Sequence, residues 1–352
     1  MLRKVLASAA LAVTMALVLT GCTPPMPPEV KAAQAELTYT CIDGSGSLAL
    51  ADALQGVASG WTASMQGACP KMSLNVVTSG QKADLEVSEI NAVSKDCKPF
   101  ATVPFAIDAS VLVINEPAIS GLILDADLAD QILSGKITKW NDPKLQLTNP
   151  GFTLPDEAIV VNPLVQQNVF DAFKSWMSRL LGREASLSLL KPSAVEETPD
   201  QMNATPNAGI ALVPYSLSVQ GGFSTVSIQV DPKDPTTAVA GDPTGIQSAG
   251  TQYSADIAGN TVNLTFHPDN KPLPPEGSDA PVNPYQAIYP VNLALCGDSS
   301  NLVTRALAKF LLRQDSQGQL AASFMVQLPE LVRDYALEVV SKGLPPVPTP
   351  AA

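Results

Sequence analysis

Short β-prone apolar runs alternate with amphipathic helical stretches along most of this chain, and that alternation restricts its fold more than any other feature. Leu74–Thr78, Ala83–Val87, Val103–Ile107, Ser110–Asn115, Ile159–Val161, Ala208–Val213 and Ile288–Leu295 read as strands. Helices are predicted around Leu128–Ile132, with Asp125 or Asp127 as N-cap and Gly135 as breaker, and over Leu302–Leu312 and Gln317–Met325. In Val169–Leu181, Val169, Phe170, Phe173, Trp176, Met177 and Leu180 share one helical face. At the front, Leu37–Thr40, Asp43-Gly44-Ser45-Gly46 and Ser47–Leu54 read as strand, glycine turn and helix. Strands interleaved with helices predict an α/β fold with covered sheets. The Pro/Gly/Thr-rich stretch 223–284 reads as an irregular insert.

The amino terminus carries the marks of export. Met1-Leu2-Arg3-Lys4 is a basic head, Val5–Leu19 is apolar, and Leu19-Thr20-Gly21-Cys22 is a lipobox. Cleavage before Cys22 and acylation of its sulfur would leave a lipid anchor (palmitate among its chains), and the Pro-rich residues 22–36 would form an extended tether. A transmembrane helix is the weaker alternative, because the run is short of the ~20 residues a span needs. The protein is therefore expected on the outer face of the membrane, touching the bilayer through its lipid only. A second Pro-rich stretch, 343–352, closes the chain.

A formal charge of −12 argues against a nucleic-acid partner. It leaves open an anionic ligand held by a local cradle of N–H groups. Cys41, Cys69, Cys97 and Cys296 remain beside Cys22, an even number that predicts two disulfides with three possible pairings. No metal site is expected from cysteines so far apart and a single histidine, His267. No nucleophile motif accompanies that histidine, so neither an enzyme nor a cofactor is expected.

The run Leu124–Pro143, densest at Lys136-Ile137-Thr138-Lys139-Trp140-Asn141-Asp142-Pro143, resembles the phosphate-binding proteins of ABC importers. Gly44-Ser45-Gly46-Ser47, Thr78-Ser79-Gly80, Asp84–Glu89, Ile159–Val161, Pro206–Ala211, Pro214-Tyr215-Ser216 and Tyr289-Pro290 follow in the order of that family. The resemblance implies a two-lobed, type II periplasmic-binding-protein-like α/β fold with strands crossing between lobes. It implies residues 37–105 with 288–342 as lobe I and 106–287 as lobe II. It also implies a solute in the cleft, an ABC permease as partner, and a monomer. Trp140 and Ile137 are expected in the core, and Asn141-Asp142-Pro143 is expected to cap the next helix.

One departure decides the chemistry. Where the family carries an arginine followed by Ser-Asp-Gly-Ser-Gly-Thr, this chain reads Asn162-Pro163-Leu164-Val165-Gln166-Gln167-Asn168. Asparagine cannot replace the bidentate charge of arginine, Pro163 has no N–H, and Leu164 would add apolar bulk. Glu89 stands at the position of the family's cleft aspartate. The ligand-binding candidates are Ser45, Gly46, Ser47, Thr78, Ser79, Ser88, Glu89, Asn162 and Gln166, with Gln167 and Asn168 beside them. This set suits a replacement for phosphate, neutral or weakly polar. Blander roles compete: Ser45 and Ser47 as helix caps, Gln166–Asn168 on a solvated helix start, Glu89 as a surface acid. The competing function is a surface or sensory lipoprotein that keeps the fold without transport, its cleft filled by side chains such as Leu164.

Overall fold

The computed structural model describes residues 39–90, 92–116, 119–195, 209–274 and 282–346. The signal segment, Cys22, the tether, the end of the tail and part of the Pro-rich insert lie outside the described residues.

A ten-stranded sheet organises the molecule. Its first part holds β1 (Gly44–Leu50), β2 (Met72–Thr78) and β3 (Leu85–Ser88), with β1 parallel to both others. β4 (Pro99–Ile114) runs for 16 residues and belongs to the whole sheet. After β4 come the short strands β5 (Ile123–Asp125), β6 (Val160–Val161) and β7 (Leu164–Gln166). β8 (Lys191–Ser193) pairs with β7 as a separate ribbon, and β9 (Gly209–Pro214) lies antiparallel to the C-terminal half of β4. β10 (Ser224–Thr225) also pairs with β4, while β11 (Ser227–Gln229) and β12 (Ala238–Val239) join β5 in a three-stranded sheet. β13 (Tyr253–Ala258) and β14 (Thr261–Phe266) form a hairpin, and β15 (Ile288–Cys296) lies antiparallel to β3 and β4.

The helices that cover these strands are α1 (Ala58–Ala68), α2 (Ala126–Leu133), α3 (Pro143–Thr148), α4 (Gln167–Leu181), α5 (Tyr215–Gln220), α6 (Pro243–Gly250), α7 (Leu302–Leu311), α8 (Gln314–Gly318) and α9 (Glu330–Val340). Amphipathicity explains α4 and α7: Val169, Phe173, Trp176 and Met177 are buried on one, Ala306, Leu307, Phe310 and Leu311 on the other. Asp125 caps α2 by accepting from Leu128 N at 2.8 Å. The dense motif is structural, as expected. Trp140 and Ile137 are buried, and Asp142 caps α3 through Lys144 N with Pro143 at its start. Lys139 forms an exposed ion pair with Asp156.

Several expectations need correction. Ser47–Leu54 is not a helix: Gly44–Leu50 is a strand, and a 3-10 turn over Asp52–Val57 leads into α1. The apolar run Leu48-Ala49-Leu50 is buried throughout and is paired in parallel with a strand on each side; parallel strands covered on both faces lose their alternation. The segment expected as a helix over Gln317–Met325 is the end of α8 followed by a 3-10 turn, Gln319–Ser323. The insert, expected to be irregular, carries β10 to β14 and α6 in its described part. Of the three open cysteine pairings, the chain adopts Cys41–Cys69 and Cys97–Cys296.

Candidate functional site

Because β1, β2 and β3 are parallel, their C-terminal ends meet at one edge: Leu50 is the register partner of both Thr78 and Val87. In open α/β sheets such an edge is where ligands sit. Thr78-Ser79-Gly80 turns there, with Gly80 at φ +81°, a backbone geometry that favours glycine. Ser88 and Glu89 leave β3 at the same edge. Beside these loops is a cavity of about 320 Å³ lined by Ser79, Gly80, Glu86, Ser88 and Val93. The Glu86 carboxylate in its wall accepts from Ser94 N at 2.7 Å and Ser94 Oγ at 2.6 Å. The Cys97–Cys296 disulfide ties the same loop to β15.

Ser45, Gly46 and Ser47 are elsewhere. They lie inside β1, and Ser45 is five residues from its C-terminal end, roughly 16 Å at the rise of a strand. Ser47 is bound to Asp84, whose Oδ2 accepts from Ser47 N and Oγ, both at 2.8 Å. A Cβ on Gly46 would stand 2.4 Å from Leu307 Cδ1, so glycine there admits helix α7 and has a packing reason. Ala51 and Asp52 hold the strand-end position that the sequence reading gave to Ser45–Ser47. The parallel register of β1 with β2 would have identified them.

The facing wall is the β7–α4 junction. Asn162 N donates to Ile210 O at 2.8 Å, and Leu164 N donates to Asn162 Oδ1 at 3.1 Å. With Pro163 lacking an N–H, residues 162–164 have their backbone donors committed or missing. Leu164 is 50% exposed on β7, so it does not fill the cleft as expected. Gln166 is the N-cap of α4 without forming a side-chain cap. Its amide is used differently: Nε2 donates to Glu89 Oε2 at 3.3 Å, and Asn168 Nδ2 donates to Glu89 O at 2.5 Å. Glu89 is 1% exposed and Gln166 is fully buried, so neither is the surface residue considered above. Gln167 is exposed and hydrogen-bonds Asp171.

Asp108, buried within β4, is register partner of Tyr289 on β15. Its carboxylate accepts from Ser216 Oγ at 2.6 Å, Ser216 N at 3.2 Å and Ala109 N at 2.7 Å. Burial pushes its pKa up to about 6 against the opposing pull of those donors, Ser216 first. His267, which looked partnerless, shares a 2.8 Å hydrogen bond with Ser254 on the exposed hairpin. Glu86, Cys97 and Cys296 bring their ligand atoms within 4.8 Å of one another, but both sulfurs are spent in the disulfide.

No family model matches the chain. A solved high-affinity periplasmic phosphate-binding protein, bound with phosphate, aligns over 84% of this chain and 92% of its own at TM-score 0.50 and 13% identity. The fold is that of the type II periplasmic binding proteins. A phosphate ABC transporter substrate-binding protein from Clostridium perfringens covers 81% of this chain at TM-score 0.48 and 13% identity. In sequence, this periplasmic-binding-protein-like chain resembles phosphate-binding proteins. It is 31% identical over 140 residues to phosphate-binding protein PstS 3 of Mycobacterium tuberculosis, 34% of this chain. It is 43% identical over 60 residues to PstS of Pasteurella multocida. The match spans 36% of the mycobacterial protein and 17% of the Pasteurella one, so the chain matches about a third or less of these curated relatives.

Proposed function

We propose that the protein is a lipid-anchored, extracytoplasmic solute-binding protein of the phosphate-receptor type whose ligand is not phosphate. The observation that carries this reading is the spent anion loop. The backbone donors of Asn162 and Leu164 are taken within the chain, Pro163 has none, and the buried Glu89 carboxylate is hydrogen-bonded to Gln166 at the end of β7. A dianion would meet that like charge and find no spare backbone N–H at residues 162–164. Anchoring through Cys22 rests on the lipobox. Among the described residues no helix is long and apolar enough to cross a membrane. An ABC permease as partner, a monomeric state, a non-catalytic role and the division into lobes at residues 105 and 288 belong to the same proposal. The hairpin β13–β14 pairs with Thr102 in the N-terminal half of β4, which argues for counting it with lobe I.

Calorimetric titration of phosphate into the mature protein, unfolded and refolded to strip carried ligand, tests this. No heat is expected; binding at micromolar affinity or tighter would overturn it. The alternative, a surface or sensory lipoprotein without transport, draws support from exposed Val160, Leu164 and Leu189 near a cavity of about 310 Å³ lined by Ile159, Val161 and Leu189. Permease and ATPase genes beside this one would favour the receptor.

A further inference from the structure

Glu86 on β3 is a buried acid, 6% exposed, that forms no ion pair among the described residues. Its carboxylate accepts twice, both times from Ser94: Oε2 from the backbone N at 2.7 Å and Oε1 from the hydroxyl at 2.6 Å. Both donors are neutral, and an ionised carboxylate has room for about four hydrogen bonds. The register partners of Glu86 are Ala49 on β1 and Ala294 on β15, which bring neither charge nor bulk. The Cys97–Cys296 sulfurs, within 4.8 Å of the carboxylate, are neutral as well. A buried carboxylate is costly unless a cation accompanies it. Glu86 lines the cavity of about 320 Å³ at the strand ends, together with Ser79, Ser88 and the apolar Val87, Val93 and Val195. It is the one ionisable group in that lining among the described residues. Val195 follows β8, so the cavity lies between the strand-end loops and the segment that leaves the β7–β8 ribbon.

We propose that this cavity binds a small primary amine, with its ammonium group on Glu86 and its carbon body against Val87, Val93 and Val195. An ammonium carries three donors and the missing positive charge, and its hydrogen bonds to a carboxylate are of the strong, charge-assisted kind. The hydroxyls of Ser79 and Ser88 add polar oxygens to the lining. The volume is at the low end of the ~300–1,000 Å³ that small-molecule sites occupy, which suits a short solute. A metal ion fits poorly: one carboxylate already holding two donors, beside sulfurs spent in a disulfide, falls short of the six or so oxygens that a hard cation takes. An anion would meet the single charge of the lining with the same sign. The inference deepens the receptor reading by naming its ligand class, and rests on that reading in taking a solute as the occupant.

The test is thermal unfolding and calorimetry of the purified mature protein at fixed ionic strength, in a buffer free of primary amines. Ethanolamine and 1,4-diaminobutane are the probes, and ethylene glycol and 1,4-butanediol are their neutral counterparts. At least one amine should raise the melting temperature saturably, and its diol should not. Its affinity should fall roughly tenfold or more in Glu86→Gln, the scale of a lost charge-assisted hydrogen bond. Glutamine can keep both contacts to Ser94, its oxygen accepting from the backbone N and its amide donating to the hydroxyl, so the substitution removes the charge alone. Val93→Trp, at a position 41% exposed, fills the cavity without touching Glu86 and should cost as much affinity. Should Glu86→Gln fail to fold by circular dichroism, Val93→Trp decides. No response to either amine, an equal response to the diols, or amine binding that survives the substitutions overturns the proposal. Phosphate titration of the same sample separates the two readings. Glu86-dependent amine binding beside micromolar phosphate binding would leave the cavity site standing and overturn the non-phosphate reading; silence toward amines and phosphate alike would overturn the cavity site alone.

Discussion

The segment 136–143 and the segment 162–168 belong to the same α/β molecule and are built on opposite terms. In the first, Ile137 and Trp140 are committed to the core and Asp142 and Pro143 to α3. In the second, polar groups are buried and turned toward a different part of the chain, Glu89. Sequence resemblance is dense in the first and broken in the second. A scaffold can thus be inherited through residues that never meet a ligand, while the residues that would meet it follow other chemistry. Family likeness carried by Trp140 is evidence about fold, and the cleft must be judged by its own donors and acceptors.

Four substitutions can break or sharpen that contrast. The largest effect is expected for Trp140→Ala, which should cost about 3–5 kcal/mol in urea unfolding, as for other buried aromatic truncations. Its ligand profile should be unchanged; a changed profile would mean the two segments are not separable. Asp108 on β4 comes next. Its folded pKa of about 6 lies above the ordinary 3.8, so the folded state holds the proton to higher pH than the unfolded state. Stability should therefore be greatest below pH ~4 for this group and fall by roughly 3 kcal/mol as pH rises to ~6, then level off. Asp108→Asn should flatten that stretch of the melting-temperature profile. Asn168→Ala removes the donor to Glu89 O and should cost about 1 kcal/mol by the same unfolding assay. The smallest effect is expected for Asn162→Arg: within about 0.5 kcal/mol of the parent in stability. It should show no submicromolar phosphate binding by calorimetry, since Pro163 still lacks an N–H and the Glu89 carboxylate is still buried beside Gln166.

Much of the scaffold was legible because the relevant signals are local. Asp125 as a cap, Gly135 at positive φ, and the apolar stripe of α4 follow from a few neighbouring residues. The β13–β14 hairpin has a local signal too. Tyr253–Ala258 and Thr261–Phe266 flank Gly259-Asn260, a two-residue turn signal, within a stretch otherwise dominated by proline and glycine. Strand β1 was not legible, because Ser47–Leu54 fits a helix as well as a strand, and only pairing with Met72–Thr78 and Leu85–Ser88 decides. The continuity of β4 was hidden by Asp108, which interrupts an apolar run and is satisfied by Ser216, 108 residues away. Glu89 was named, but its partners Gln166 and Asn168 are 77 and 79 positions distant, so its burial could not be read from its surroundings.

The Cys97–Cys296 bond has a topological meaning beyond holding a loop. It encircles 199 positions of sequence, including the dense motif, the β7–α4 junction and the hairpin, within one covalent ring. A protease that cuts once inside that ring opens it without releasing a piece. The nicked chain would stay one particle on a non-reducing gel and divide in two only when a thiol is added.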